Sequence, residues 1–311
     1  MRTGIYGDII GSPTEQLFLY VLESGFPSDM RREIKEIIQE KKYIEPVMER
    51  ILKIYHGDLF AKFLNKKRKH LFTDDTVLTI ASMDALLKYS SAPVISKVSE
   101  LRTFFAENYK LWAKNYPEAG YSKEFTTWYQ HSLIKSYLGL DNGAAMRAAP
   151  FAYAGFKYDT KIQLSRSAAE STHAPEGVRA ALAVTEAVYM ATENPSAKDD
   201  IVQMIRHVYF YDLQVILDDI RIGHKFEKLA QDSIPAALTA FLESTDHLSA
   251  VENALSLGGD TDTQAMIAGC IADAFYGYNT IPQPVHDLVE KSLPLEMMHV
   301  LEKFEKKFIL N

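Results

Sequence analysis

The sequence contains a single cysteine, Cys270, so no internal disulfide can form. Cys270 lies in a run of small apolar residues and reads as core packing, and the scarcity of thiols fits a reducing compartment. No stretch offers the ~18 consecutive apolar residues that a membrane-spanning helix requires. Met1–Asp8 lacks the apolar centre of a signal peptide. A cytoplasmic protein without membrane attachment is therefore expected. Basic charge is also in deficit: 34 Lys and Arg face 41 Asp and Glu, for a net charge of −7. A dedicated nucleic-acid binder needs a basic surface to meet phosphates, so no nucleic-acid partner is expected. Long Pro/Gly/Ser linkers and fixed-period repeats are missing, and one domain over residues 1–311 follows. Alternating strand-like patterns are missing too.

What remains is helical periodicity. Val77, Leu78, Ile80, Ala81, Ala85 and Leu86 recur at helical spacing after Asp75. Val178–Ala191 is almost entirely small or apolar and predicts a buried helix. Ile201–Leu217 and Val251–Leu257 also read as helical. Ala265–Tyr276, rich in Ala, Ile and Gly, predicts a central helix closely packed by its neighbours. Hydrophobic residues make up 47% of the chain, enough for a substantial core. The expected fold class is all-α, with functional residues at helix ends. The run Lys66-Lys67-Arg68-Lys69-His70 reads as a solvated loop; its functional alternative is attraction of an anionic substrate, since it precedes an acidic cluster.

That cluster is Thr73-Asp74-Asp75-Thr76, just ahead of an apolar helix. Alone it reads as an N-cap, because Thr and Asp satisfy free amides and acids suit the positive end of a helix. A second cluster, Gly258-Gly259-Asp260-Thr261-Asp262-Thr263, also precedes a helix. Its glycines permit backbone conformations that other residues resist. Asp260 and Asp262 are two residues apart, so on an extended approach both side chains can point one way. Carboxylate and hydroxyl oxygens suit hard cations such as Mg²⁺ or Mn²⁺. Four aspartates gathered together repel strongly without added positive charge, which points to two ions. A third signal, Gly7-Asp8-Ile9-Ile10-Gly11-Ser12-Pro13-Thr14-Glu15, offers Glu15 to complete the site or hold a nucleophilic water. Asp8 reads as a structural residue at a helix end.

Other metal motifs fail by position. An Asp-Asp-x-x-Asp motif is broken by Leu78 after Asp74-Asp75 and by Ile222 after Asp218-Asp219. No His-Glu-x-x-His is present, His286-Asp287 lacks partner histidines, and no serine has a nucleophile-elbow context.

In this order, the clusters resemble the ADP-ribosylglycohydrolase family. The resemblance runs from Gly7–Glu15 through Phe72–Thr76, Tyr116-Pro117 with Ala119-Gly120-Tyr121, Asn142–Arg147, Thr172-His173 and Gly258–Thr263. It implies an all-α domain with a dinuclear Mg²⁺ or Mn²⁺ site at helix ends. It also implies cleavage of the bond between C1″ of ADP-ribose and an acceptor, so the expected partner is an ADP-ribosylated protein or ADP-ribose conjugate. By the resemblance, Thr73, Asp74, Asp75, Asp260, Asp262 and Thr263 are metal ligands, Glu15 is the acid near the scissile bond, and Glu15 or a cluster aspartate such as Asp75 is the base. Glu15, Asn142, Gly143, His173 and Gly259 are implied to bind substrate. Arg147 is read either as a phosphate partner or as a member of an internal ion pair. Many relatives have Tyr-Gly where this chain has Leu140-Asp141, an added carboxylate in a region that commonly faces the diphosphate. Asp273, eleven residues after Asp262, is too far to share its ions and reads as an internal hydrogen-bonding or ion-pairing residue. Arginine-linked mono-ADP-ribose is the expected substrate. The alternatives are another ADP-ribose conjugate, serine-linked or small-molecule, or a non-catalytic ADP-ribose-binding or crystallin-like protein on the same scaffold.

Overall fold

The computed structural model describes residues 1–23, 72–91, 95, 97–132, 135–194, 198–213, 216–223 and 228–310. The Lys66–His70 run lies outside them. The described residues form α1 (Arg2–Glu23), α2 (Asp74–Tyr89), α3 (Val98–Asn115), α4 (Lys123–Gln130), α5 (Ala149–Tyr153), α6 (Tyr158–Glu170) and α7 (Pro175–Glu193). These are followed by α8 (Lys198–His207), α9 (Leu217–Gly223), α10 (Ala230–Leu242), α11 (His247–Leu257), α12 (Thr261–Tyr276), α13 (Gln283–Ser292) and α14 (Leu295–Phe308). Among the described residues, β structure is confined to two isolated bridges, Gly139 with His173 and Asp141 with Leu229. The all-α class is as the sequence leads one to expect.

Local chemistry sets several helix starts. Thr73 caps α2 by accepting from the Asp75 amide at 3.1 Å. Asp246 and Ser249 form a reciprocal capping box that starts α11 at His247, four residues before the apolar Val251. The reading of Ile201–Leu217 as continuous helix is corrected: α8 ends at His207 and α9 begins at Leu217. Phe210 between them has φ of 56°, in the left-handed region that an aromatic residue rarely enters. Tertiary contacts hold it there. Arg179 donates to the Tyr209 carbonyl at 2.6 Å and Arg206 to the Leu213 carbonyl at 3.0 Å, while Tyr209, Tyr211 and Leu213 are buried.

Helix α12 is the centre of the molecule. Every residue from Thr261 to Ala274 is buried. It packs on α1, α7, α10 and α11, and most extensively on α1. The α1–α12 crossing is close because glycines line it. A Cβ at Gly7 would lie 2.7 Å from the Ala265 carbonyl, one at Gly11 2.7 Å from the Asp262 Cα, and one at Gly269 2.6 Å from the Thr3 carbonyl oxygen. Cys270 is buried in this core, as expected. Asp273, also on α12, accepts from the Thr3 amide at 3.0 Å and pairs with His247 at 3.2 Å and with the Met1 amino group, the internal role read from the sequence. Among the described residues, no helix is long and apolar enough to cross a membrane.

Two effects oppose one another at Gly7. Alanine gains ~1 kcal/mol of helix propensity over glycine. Against this, overpacking costs ~1–3 kcal/mol, and the atoms met at 2.7 Å belong to the Ala265 backbone and cannot rotate away. Gly7→Ala is therefore expected to lower the urea midpoint by a net ~1 kcal/mol or more of stability. An unchanged or raised midpoint would show that the two helices separate at little cost.

Candidate active site

Three elements converge on one cleft of ≈ 440 Å³. The N-terminus of α2 contributes Asp74 and Asp75, the N-terminus of α12 contributes Asp260 and Asp262, and the middle of α1 contributes Glu15. The turn into α12 uses Gly258 and Gly259 at φ of 73° and 78°, both in the left-handed region. Asp260 is not on the extended approach expected from the sequence: it has φ −79°, ψ 66° and stands at the helix cap. Its carboxylate meets that of Asp262 because both sit at one helix start. Ligand atoms of Glu15, Asp260 and Asp262 lie within 4.8 Å of one another, and all three residues are buried.

Asp8 does not line this cleft. It lies within α1 and accepts from the Thr73 and Thr76 amides at 2.9 and 3.2 Å, so it caps α2 from the neighbouring helix. That is the structural role at a helix end read from the sequence. Thr73 also donates its hydroxyl to Asp75 Oδ2 at 3.2 Å, and Thr263 lines the cleft with its amide bonded to Asp262 Oδ1 at 3.0 Å. Asn142 donates to Asp260 Oδ2 at 2.6 Å and to Ser233.

Burial raises the pKa of Asp75 well above the ordinary aspartate value, and the carboxylates of Asp8, Asp74 and Asp260 push it further. Asp262 is raised likewise by burial, Glu15, Asp260, Asp75 and Asp8. Among the described residues, Asp75 Oδ1 has no hydrogen-bond partner although it is buried. Buried carboxylate oxygens left without partners are costly. They fit a divalent cation, which prefers hard oxygen donors. One cation of the chain already faces the cluster. Lys228 Nζ lies 3.2 Å from Glu15 Oε1 and 3.5 Å from Asp260 Oδ1. Burial disfavours this ammonium, but Asp260, Glu15, Asp262 and Asp74 outweigh burial and raise its pKa.

The far wall is a short extended segment held on both edges. The Gly139 amide donates to Thr172 O and the Ala174 amide to Gly139 O; the Asn142 amide donates to Lys228 O at 3.1 Å and the Ala230 amide to Leu140 O at 3.2 Å. Asn142, Gly143 and Asp141 line the cleft. His173 stands behind them rather than in the wall. A chain of hydrogen bonds runs from Arg147 Nη2 to Thr172 Oγ1 at 2.6 Å, from Thr172 to His173 Nδ1 at 2.8 Å, and from His173 Nε2 to Asp141 Oδ1 at 2.7 Å. The Gly143 amide donates to the same Asp141 oxygen at 2.9 Å. Burial lowers the His173 pKa, so the neutral ring accepts at Nδ1 and donates at Nε2. Burial alone would raise Asp141, but His173, the Gly143 amide and Arg147 hold it below the usual carboxylate range. One oxygen of the added carboxylate in Leu140-Asp141 is thus engaged within the protein, while the residue still lines the cleft. Arg147 lies with its guanidinium carbon 4.0 Å from the Tyr109 ring centroid, and among the described residues its Nε and Nη1 have no hydrogen-bond partner. Gly259 shapes the turn and is not in the cleft wall.

Lys228 and Tyr137 are among the cleft residues that the sequence did not single out. Neither carries a local signal. Lys228 is one of 34 basic residues, and the backbone pairing of its segment with Asn142 brings it to the acids.

The raised carboxyls imply a pH dependence. A carboxyl whose folded pKa exceeds its unfolded value contributes stability below the unfolded pKa and loses it as pH rises through the folded pKa. Asp262→Asn removes that liability. In chelator, its stability relative to the native protein should grow as pH rises above the ordinary carboxylate range. Denaturant midpoints of both proteins across a pH series measure this, and a difference independent of pH would contradict the assigned shift.

Comparison with known proteins finds relatives over most of the chain. The family model for ADP-ribosylglycohydrolase matches residues 3–309. ADP-ribosylhydrolase ARH3 of Homo sapiens is 25% identical over 271 residues, covering 68% of this chain and 72% of that protein. The Mus musculus protein of the same name is 26% identical, covering 68% of this chain and 71% of that protein. In fold, the chain is similar to a solved structure described as an ADP-ribosylglycohydrolase-related protein complex, with a TM-score of 0.56, 24% identity, and coverage of 76% of this chain and 82% of that one. A motif order read from three acidic clusters, a helical fold that gathers those clusters in one cleft, and a family match over nearly the whole length lead to one statement: this chain belongs to the ADP-ribosylglycohydrolase family and is a hydrolase.

Proposed function

We propose that this chain is one domain that removes mono-ADP-ribose from arginine side chains of proteins, using two divalent ions, Mg²⁺ or Mn²⁺. The observation that carries the reading is the convergence of Glu15, Asp74, Asp75, Asp260 and Asp262 on one cleft. Thr73, Asp74, Asp75, Asp260, Asp262 and Thr263 would hold the ions. When bound, the ions supply Lewis acidity that fixes ribose hydroxyls and makes water a stronger nucleophile.

The protein's own groups do the rest. Cleavage of a glycosidic bond builds positive charge on the ribose ring, and the carboxylates facing it stabilise that charge. Glu15 takes the proton of the attacking water, with Asp75 as the alternative base. Asn142 fixes the orientation of Asp260, and the Gly143 segment positions the ligand. His173 acts through Asp141, and Gly259 through the turn that presents Asp260. The buried polar atoms of Arg147 that lack partners among the described residues offer donors to a polar ligand at the cleft. An arginine-linked substrate suits this acidic site because its leaving group is cationic before departure and needs no oxyanion hole. A serine-linked substrate leaves as an alkoxide and requires closer acid or metal assistance.

The test compares matched arginine-linked and serine-linked ADP-ribosyl peptides, with released ADP-ribose as the readout. Chelation should abolish hydrolysis, Mg²⁺ or Mn²⁺ should restore it, and Asp74→Ala should lose it while keeping helix content. Glu15→Gln should lower kcat far more than it weakens ADP-ribose binding. Full turnover in metal-free protein would refute the metal reading. A specificity constant tenfold or more in favour of serine, about 1.4 kcal/mol in transition-state binding, would overturn the acceptor and leave the hydrolase class intact.

A further inference from the structure

The acidic cluster already contains one positive charge of the protein's own. Lys228 Nζ lies 3.2 Å from Glu15 Oε1 and 3.5 Å from Asp260 Oδ1, which belong to two of the three carboxylates grouped within 4.8 Å of one another. Asp260 is therefore engaged on both oxygens, by Lys228 at Oδ1 and by Asn142 at Oδ2. Glu15 and Asp260 side chains are 4% and 3% exposed, whereas that of Lys228 is 55% exposed. The acids are fixed and the lysine is not: its side chain has solvent to retreat into. Its backbone is anchored, since Lys228 O accepts from the Asn142 amide and the next bridge joins Leu229 to Asp141. The ammonium is consequently tethered at the mouth of the cluster.

We propose that Lys228 is a displaceable counter-ion that competes with a divalent cation for Glu15 and Asp260, and so sets the metal affinity of that part of the cluster. The inference rests on the metal-dependent reading of the site. Without metal, the ammonium offsets the repulsion among buried carboxylates. A cation that binds Glu15 and Asp260 takes over that role, and the ammonium swings to solvent. No bond is made or broken in the exchange; one cation replaces another. The lysine contributes to both sides of the equilibrium with opposite sign: it stabilises the metal-free fold and weakens metal binding.

This opposition separates the proposal from a purely structural role. Lys228→Met should lower the melting temperature in chelator, because Glu15 and Asp260 lose a compensating positive charge. The same variant should bind Mn²⁺ about tenfold or more tightly in titration calorimetry of the metal-free protein, since a unit charge a few ångströms from the ion is removed. Lys228→Arg, which keeps the charge, should bind Mn²⁺ within about threefold of the native protein; circular dichroism checks that both variants fold. A lysine that merely props the cleft open would give equal or weaker Mn²⁺ binding in Lys228→Met, and that outcome overturns the inference while leaving the metal site in place. Tighter binding in Lys228→Arg as well as Lys228→Met would show that shape, not charge, is responsible, and would overturn it too. Absence of Mn²⁺ binding by every form would refute both this inference and the metal-dependent reading beneath it.

Discussion

The contact between α1 and α12, backbone against backbone, is the constraint on which the cleft depends. Gly4, Gly7, Gly11 and Gly269 remove the side chains that would otherwise hold these helices apart. Glycine inside a helix costs ~0.5–1 kcal/mol relative to alanine, so three in α1 represent a real loss of helix stability. Close packing of a fully buried central helix offsets it. The spacing does more than allow contact. Gly4, the Gly7-Asp8 pair, Gly11 and Glu15 follow one another at three- or four-residue steps and share one helix face. The stripe that touches α12 therefore also delivers Asp8 to the start of α2 and Glu15 to Asp262.

Gathering carboxylates in a buried cleft is unfavourable unless their charge is met. Four devices meet it here. Two helix N-termini point their partial positive charge at the cluster, those of α2 and α12. Backbone amides of Thr73 and Thr76 donate to one oxygen of Asp8, and that of Thr263 to one oxygen of Asp262. Asn142 holds one oxygen of Asp260. Lys228 adds a full charge at the rim. These leave Asp75 and Asp262 with raised proton affinity, so the compensation is incomplete. A site balanced in this way favours the arrival of further positive charge, which is what a cation-dependent hydrolase requires.

Much of this was legible in the sequence because the informative chemistry is local. Thr73 caps α2 and two glycines turn the chain into α12; each is a short-range preference visible in a few residues. The apolar runs at Val77–Leu86 and Ala265–Tyr276 fall inside α2 and α12. Long-range placement was less visible. The expected Ile201–Leu217 helix breaks at Phe210, where Arg179 and Arg206 hold the Tyr209 and Leu213 carbonyls through contacts that no local pattern announces. Asp260 reaches the cluster from a cap conformation, not an extended one. Lys228 arrives by backbone pairing with Asn142, 86 positions earlier in the chain. Asp141 lines the cleft, but the hold of His173 and the Gly143 amide on its Oδ1 was not visible in the sequence.

The Thr261 hydroxyl donates to the Gly11 carbonyl at 3.0 Å across a separation of 250 residues. That bond joins the helix carrying Glu15 to the helix carrying Asp262, so the cluster is closed by segments from opposite ends of the chain. Bringing such distant segments together carries a loop-closure entropy, and contacts of this span slow folding. The helices between can assemble on shorter-range contacts first. In such an order of assembly the carboxylates stay apart, and their repulsion is not felt, until the remainder of the core is available to hold them. Catalytic competence in this architecture is then a property of the finished fold and of no fragment of it.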